Sequence, residues 1–253
     1  MFTGSGLVAF CCIFAPGLAG LALGRILPQD QASEATHKAV QLTMSVVGLL
    51  AALVLGLLVA SAKSSLDTSS KEVEQFGTSL VLLDRDAVHL GSEAAPVRAL
   101  LRAFTEEKIA QTWTQAWTED PAAADHSRTV KLLEDVQARV RAFVPQTDTE
   151  REARTSSLRL IDDIKQNSRL LAVQQSRHVP RFFLIVVVFW LGVLFFSYGV
   201  FSPPNAVVIA AMVIAAFSVS AAVNLIIDMD HPFAGYIAVS KVPMQQALDS
   251  MTR

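Results

Sequence analysis

Residues 39–62, AVQLTMSVVGLLAALVLGLLVASA, decide the class of this protein, because they form a long apolar stretch without a charged side chain. An α-helix needs about 20 such residues to cross a hydrocarbon core of ~30 Å. Three further apolar stretches of similar length cover residues 7–27, 182–201 and 206–227. The pattern predicts an all-α polytopic membrane protein with four transmembrane helices, arranged as two hairpins.

The composition agrees with four lipid-facing spans. The chain has 253 residues, of which 52% are hydrophobic, and its mean hydropathy is +0.41. A soluble domain of this size does not require so much apolar surface. The net charge of −2 provides no basic field for nucleic acid, so we predict no nucleic-acid partner. Cys11 and Cys12 are adjacent in the first stretch, which argues against a disulfide framework.

The order of apolar and polar stretches predicts a division into four parts. Residues 1–62 form a first transmembrane hairpin, 63–180 a helical domain, 181–227 a second transmembrane hairpin, and 228–253 a C-terminal tail. We expect the first stretch to be retained as a span, because no basic residue precedes Arg25 as one would in a secretory signal.

Basic residues indicate the orientation. Four crossings place both termini and the middle domain on one side, where the basic residues near the spans are Lys63, Lys71, Arg169, Arg177, Arg181 and Lys241. The opposite side has only Arg25 and Lys38 near the spans. By the positive-inside rule, we expect a multi-pass protein of the cell inner (plasma) membrane with its termini and middle domain in the cytoplasm.

Small residues predict where the spans pack. They recur at every fourth position in two spans, as Gly20 and Gly24 in the first and Gly48, Ala52, Gly56 and Ala60 in the second. Such spacing places small side chains on one face and lets another helix approach closely. The third span is bulky and aromatic, so we expect it to face lipid, while the second and fourth spans face protein.

Residues 63–180 contain apolar stripes with steps of three and four, as in amphipathic helices. The segment is interpreted as a bundle of about four helices. Its polar stretches 64–70 and 146–154 are the predicted loops or hinges.

No catalytic motif is found in the sequence. It contains no glycine-rich phosphate loop, GxSxG elbow, HExxH pair or metal-spaced cysteine set, and its five histidines are scattered. We therefore predict that the protein is not an enzyme and has no cofactor and no metal site.

Two charged segments stand out. In LLDRDAVHLG, residues 82–91, Asp84, Arg85, Asp86 and His89 lie beside an apolar stripe. They indicate either a solvated helical face with an ion pair between neighbours or a subunit-contact network.

The second segment follows the fourth span and contains Asn224, Asp228, Asp230 and His231. Carboxylates gathered by symmetry at the mouth of a pore could concentrate or coordinate cations. The alternative is a cap that ends the helix, followed by a turn enforced by Pro232.

The same two segments carry a family resemblance. LLDRDAVHLG, which continues through Glu93 to the residues VRALLR at 97–102, resembles a motif of a bestrophin-like membrane protein family of bacteria and plants. So does DMDHPFAG at 228–235, with the following Ser240 and Pro243. The relation to bestrophins implies an oligomeric anion channel, with a pore lined by second spans and extended by cytosolic helices. The chain departs from bestrophins in lacking an acidic calcium-clasp cluster.

Two functions are compatible with these features. The leading hypothesis is a homo-oligomeric ion channel or ion-permeable assembly, whose partners are the lipid bilayer, further copies of the chain and inorganic ions. Its pore would be lined by one face of the second span, formed by Val47, Ala51, Val54, Leu58 and Ser61. That face would be a hydrophobic constriction, gated by dewetting. The alternative is a non-conducting membrane scaffold or sensor, whose helical domain binds a cytosolic partner.

Overall fold

The computed structural model describes residues 4–26, 34–114, 127–175, 181–233 and 237–252. Over these residues the chain is helical and contains no strand, which confirms the all-α class. The α-helices are α1 (Gly4–Gly24), α2 (Glu34–Ala87), α3 (Ala94–Ile109), α4 (Ser127–Ala142), α5 (Asp148–Gln175), α6 (Arg181–Phe201), α7 (Ala206–Met229) and α8 (Val242–Ser250). A short 3₁₀ helix, Gly91–Glu93, precedes α3, and a π-helical turn, Ala110–Thr114, follows it.

Among the described residues, four helices are long and apolar enough to cross a membrane. They contain the segments Gly6–Gly24, Thr36–Ala87, Phe182–Phe201 and Ala206–Met229. The four predicted spans are thereby confirmed as helices of the required length and composition. Their arrangement as two hairpins stays a prediction.

The second span does not end at a loop. Helix α2 has 54 residues and continues through residues 64–70, so the loop predicted there is wrong. The serine-rich segment contains no glycine or proline to interrupt the helix, and none occurs between Gly56 and Gly77. Leu66 and Ser69 are buried and continue the stripe of Val73 and Phe76. Most of the polar residues of segment 64–70 therefore lie on the exposed face of a continuous helix.

The other predicted loop, 146–154, is shorter than expected, because α5 begins at Asp148. Thr147 and Glu150 form a capping box: the Glu150 backbone N–H donates to Thr147 Oγ1 at 3.2 Å, and the Thr147 N–H donates to Glu150 Oε2 at 3.2 Å. This reciprocal pair satisfies N–H groups that the first turn of a helix leaves without partners. A Thr-x-x-Glu spacing was a sequence signal for the helix start.

The chain divides into two compact units, of which the first comprises Met1–Ser64 and His178–Asp230. Within it, α1 packs against α6 and α7. A core of Ile13, Leu21, Phe195, Met212 and Ala216 joins the three helices. Ser220 Oγ on α7 donates to the carbonyl oxygen of Gly6 on α1 at 2.5 Å. The hydroxyl donor thus has a hydrogen-bond partner in apolar surroundings.

Glycines bring the backbones of α1 and α6 together. A Cβ at Gly20 would overlap the carbonyl oxygen of Phe196, and one at Gly24 would overlap that of Val200. On α6, a Cβ at Gly199 would overlap the carbonyl oxygen of Gly17. The expectation that the third span faces lipid is therefore wrong for the face of α6 that carries its glycines. The aromatic side of α6 is exposed, with Phe189 66% accessible.

The second unit comprises Ser65–Arg177 and His231–Arg253. Its core contains fully buried residues of four helices: Phe76, Leu80 and Leu83 on α2, Leu101 on α3, Val136 on α4, and Ile161 and Ile164 on α5. Helix α8 belongs to the same unit and buries Met244 and Ala247. At Gly77, a Cβ would lie 2.9 Å from the carbonyl oxygen of Pro243, so α8 begins directly against α2.

The continuity of α2 is tested with Ser65→Pro. Proline within a helix removes a backbone hydrogen bond and clashes with the preceding turn, at a cost of about 3 kcal/mol. We expect the variant to lower the free energy of unfolding of the purified protein by about that amount. Ser65→Ala, at the same exposed position, is the control and should leave stability nearly unchanged. Equal stability of the two variants would indicate a loop.

Candidate functional site

The predicted pore face of α2 divides into buried and accessible positions. Ala51 and Leu58 are 2% and 7% exposed, so the protomer itself covers them. Val47 and Val54 are half-buried, and Ser61 is exposed. The last three are spaced by seven residues, close to two helical turns, and therefore lie on one stripe. Of the five predicted residues, these three have surface available to a pore.

The remaining surface of the α2 span is largely open within the protomer. Large apolar side chains are exposed there, among them Leu42, Leu49 and Leu53 at 71%, 71% and 68%. Of its apolar window, 11% is buried, compared with 33% in α1 and α6. The span therefore presents more uncovered apolar surface than α1 or α6.

The small residues of α2 lie on this open surface. Ala52, Gly56 and Ala60 are exposed, and a Cβ at Gly56 would have no atom of the described chain within 4 Å. Gly48 instead faces another helix of the same chain, because Leu194 of α6 lies 3.7 Å from its Cβ position. The predicted close approach of another helix at Ala52, Gly56 and Ala60 would thus have to come from a second copy, which stays a prediction.

Asp84 forms its ion pair with Arg98 on α3. Arg98 Nε donates to Asp84 Oδ1 at 2.7 Å, and its Nη2 donates to Oδ2 at 3.2 Å. This two-pronged geometry is the strong form of a carboxylate–guanidinium contact. The hydrogen bond to Asp84 raises the pKa of Arg98 above its usual value, against the opposing effect of desolvation. The sequence interpretation of an ion pair between adjacent residues missed this partner, which lies 14 positions further along the chain.

Arg98 also binds the C-terminal segment. Its Nη2 donates to the carbonyl oxygen of Met251 at 3.2 Å, so one guanidinium joins α2, α3 and the end of α8. Nearby, Trp113 Nε1 donates to the carbonyl oxygen of Val239 at 2.9 Å, and its ring packs edge-on against Phe233. Residues 237–252 are thus built into the second unit.

The other members of the predicted interface network differ in exposure. Arg85 and His89 are exposed, whereas Asp86 is half-buried. Asp86 Oδ2 is buried and accepts no hydrogen bond from the part of the chain that the structure describes. A subunit contact through these three residues stays a prediction.

The predicted ion-handling residues surround the end of α7. The helix ends at Met229, and the Asp230 N–H donates to the carbonyl oxygen of Ile226 at 3.0 Å. Asn224, Asp228 and Asp230 are half-buried, and His231 is exposed. All four have polar or electrostatic partners. The helix therefore ends here and a turn follows at Pro232, as the alternative interpretation expects. The ion-handling role stays a prediction.

Within the described ranges, no three His, Cys, Asp or Glu side chains come close enough to hold a metal ion.

Sequence reasoning missed a buried lysine on α3. Lys108 is 5% exposed, and burial lowers the pKa of its ammonium group from 10.5 to about 8. It lies beside buried polar residues of the π-helical turn, where Thr129 Oγ1 donates to Gln111 Oε1 at 3.2 Å. The spacing of Val97, Leu101 and Lys108 was the available signal, because it places the lysine on the apolar stripe.

Two of the comparisons with known proteins found similarity, one to a family model and one to solved structures. A family model described as a Bestrophin-like domain matches residues 11–244. None of the curated proteins compared is significantly similar to the chain. Among solved structures, two variants of a bacterial bestrophin homologue from Klebsiella pneumoniae are similar to it. One is 11% identical with a TM-score of 0.71, covering 99% of this chain and 100% of that chain. The other is 15% identical with a TM-score of 0.63, covering 100% of both.

The Asp84–Arg98 pair is tested with Asp84→Asn. Loss of the carboxylate leaves a guanidinium without its main partner, and we expect the free energy of unfolding to fall by about 2 kcal/mol. Asp148→Asn, which removes an exposed partner of Arg151, is the control and should change it by ~0.5 kcal/mol or less. A similar small effect in both variants would contradict a stabilising role for the partly buried Asp84–Arg98 pair.

Burial of Lys108 predicts a pH dependence. The pKa of this group is about 8 in the folded protein and 10.5 ordinarily, so between these values the unfolded chain binds more protons. The free energy of unfolding should therefore rise with pH in that window. Lys108→Met should lack this rise and be more stable than the wild type at pH 7. Lys131→Met, at an exposed position of α4, should retain the wild-type profile. A rise that persists in Lys108→Met would refute the assignment.

Proposed function

The chain belongs to the Bestrophin-like family, and we propose that it forms a homo-oligomeric, ion-permeable membrane assembly whose pore is lined by α2. The observation that carries the proposal is the uncovered apolar surface of α2. Helices in lipid associate through close packing rather than through hydrophobic burial. The exposed Ala52, Gly56 and Ala60 provide a surface on which the backbone of a neighbouring copy can come close.

The proposed pore surface is the stripe of Val47, Val54 and Ser61. In a symmetric ring of copies, each residue would form a ring of identical side chains around the axis. Two of the rings are valine, which makes a narrow, apolar constriction that opens and closes by wetting and dewetting. Ser61 adds a hydroxyl ring at the end of the span.

Two features point to opposite charge selectivities of the proposed pore, one to cations and the other to anions. Asp228 and Asp230 lie at the C-terminal end of the fourth span. Carboxylates at a pore mouth would favour cations. The relation to bestrophins implies anions instead. Reversal potentials measured across a salt gradient distinguish the two, and Asp228→Asn would shift the reversal potential only if this carboxylate faces the conducting path.

A non-conducting scaffold or sensor is the second candidate, and one observation favours it. The Thr43 and Ser45 hydroxyls of α2 donate to carbonyl oxygens of their own helix, those of Ala39 at 2.9 Å and Gln41 at 2.7 Å. These side chains therefore offer a permeating ion little polar surface. A scaffold would use the second unit to bind a cytosolic partner.

Conduction is tested with purified protein in planar bilayers. We expect currents from the wild type and a larger conductance or open probability from Val54→Ser, because a hydroxyl makes the constriction easier to wet. Val46→Ser is the matched control, since Val46 lies on the same helix, is 59% exposed and is outside the proposed stripe.

A silent wild-type oligomer would favour the scaffold. An effect of Val46→Ser without an effect of Val54→Ser would place the pore on another face. A protein that is monomeric by multi-angle light scattering would refute the shared pore altogether.

The orientation is tested independently. We place both termini and the second unit in the cytoplasm, on the distribution of basic residues near the spans. A reporter fused after Arg253 that requires the cytoplasm should be active, and one that requires export should be inactive. The opposite pair of results would invert the topology.

A further inference from the structure

Three consecutive charged residues end α2 in the second unit. Asp84, Arg85 and Asp86 point in different directions, because each residue of a helix is turned by about 100° from the one before it. Asp84 is 5% exposed, and both of its carboxylate oxygens are bound by Arg98. Side chains at adjacent positions of a helix do not face each other, so Arg85 and Asp86 do not pair within one chain.

Arg85 has no partner in the part of the chain that the structure describes. It is exposed and forms no hydrogen bond or ion pair with the described residues. An arginine on a helix surface commonly pairs with an acid three or four positions away. Those positions of α2 hold no acid, since they are occupied by Val81, Leu82, Val88 and His89.

Asp86 lacks a donor as well. The residue is half-buried, and its Oδ2 is buried without a hydrogen bond from the described residues. A carboxylate that has lost part of its water and has gained no donor is destabilised. A cation that reaches the accessible side of this carboxylate would offset that cost through a charge-assisted hydrogen bond.

The two charges lie on either flank of the outward side of α2. Leu80 is 0% exposed and marks the middle of the buried stripe. Arg85 lies about 140° from Leu80 in one direction around the helix, and Asp86 lies about 120° from it in the other. Across the outward side the two are therefore about 100° apart. Leu82 and His89, both exposed, lie between them.

This separation matches a closed ring of helices. In a regular ring of four to six members, the directions from one member to its two neighbours differ by about 90° to 120°. A head-to-tail ring uses two different patches of each copy, one for each neighbour. Arg85 then presents a positive charge to one neighbour, and Asp86 presents a negative charge to the other. Every contact in the ring joins opposite charges.

We propose that copies of the chain are joined in the second unit by ion pairs between Arg85 of one copy and Asp86 of the next. This inference rests on the proposed homo-oligomer and names residues that connect its copies. The guanidinium of the neighbour gives Asp86 the charged donor that its own chain does not supply. Arg98 is not that donor, because it already binds Asp84 and the carbonyl oxygen of Met251.

The test reverses these charges in the full-length protein in mild detergent. Arg85→Glu makes both flanks of each copy acidic and Asp86→Lys makes both basic, so every contact joins like charges. We expect each variant to raise the concentration at which half of the oligomer dissociates, measured by multi-angle light scattering, by about tenfold or more. The double variant Arg85→Glu/Asp86→Lys restores opposite charges and should return this concentration to within about threefold of the wild-type value.

Two controls accompany the reversals. Lys131→Glu makes the same charge change at an exposed position of α4 and should assemble like the wild type. Co-expression of the two single variants should give a tighter oligomer than either variant alone, because acidic copies then have basic neighbours. Far-UV circular dichroism verifies that each variant folds.

A second measurement keeps the charge at position 85. Arg85→Lys provides an amine that a carbodiimide can join to a carboxylate in direct contact with it. Copies labelled with a heavy isotope are dissociated by dilution, mixed with unlabelled copies and reconcentrated. Mass spectrometry should then find a link between position 85 of one copy and position 86 of another. Adding Asp86→Asn to this variant should abolish the link.

Restored assembly in the double variant and a link between copies would support the ion pair. An oligomeric wild type that responds to Arg85→Glu no more than to Lys131→Glu would overturn the inference and leave the proposed function standing. Folded single variants that dissociate without rescue in a folded double variant would also overturn it. A monomeric wild type would refute the proposed function, and the ion pair with it.

Discussion

The contact between α1 and α6 is the constraint on which the first unit depends. In lipid, apolar side chains gain little by leaving the solvent, so two helices stay together only if their surfaces fit closely. Glycine supplies that fit, because Gly20 and Gly199 leave room for a carbonyl oxygen where a side chain would otherwise stand. Helix α7 then packs on α1, and the Ser220 hydroxyl binds the carbonyl oxygen of Gly6.

This arrangement also leaves surfaces for function. Most of the α2 span is uncovered by the rest of the chain, and the proposed function assigns this surface to contacts between copies and to a shared pore. In the second unit, the guanidinium of Arg98 on α3 binds both the Asp84 carboxylate of α2 and the carbonyl oxygen of Met251 in the C-terminal segment.

The sequence predicts the features that depend on local composition. Length and hydropathy identify the four spans, and the three–four spacing of residues such as Phe76 and Leu80 identifies the buried stripe of α2. The features it missed depend on contacts or on competing local signals. The ion pair was expected between neighbouring residues of 82–91, because nothing in the local pattern points 14 residues ahead from Asp84 to Arg98. Serines at 64–70 resemble a loop in composition, although the absence of glycine and proline lets the helix continue. Which face of α2 would meet a second copy depends on contacts between chains, and the local sequence pattern does not specify them.

The most direct test of the glycine contact compares Gly20→Ala with Gly4→Ala by thermal unfolding of the purified protein. Alanine in place of glycine stabilises a helix by up to ~1 kcal/mol when its methyl group has room. At Gly4, the exposed first residue of α1, the Cβ position has no atom within 4 Å, so the melting temperature should rise or stay the same. At Gly20 the methyl group would overlap the carbonyl oxygen of Phe196, so the melting temperature should fall. A Gly20→Ala protein as stable as the wild type, or more stable, would contradict the account.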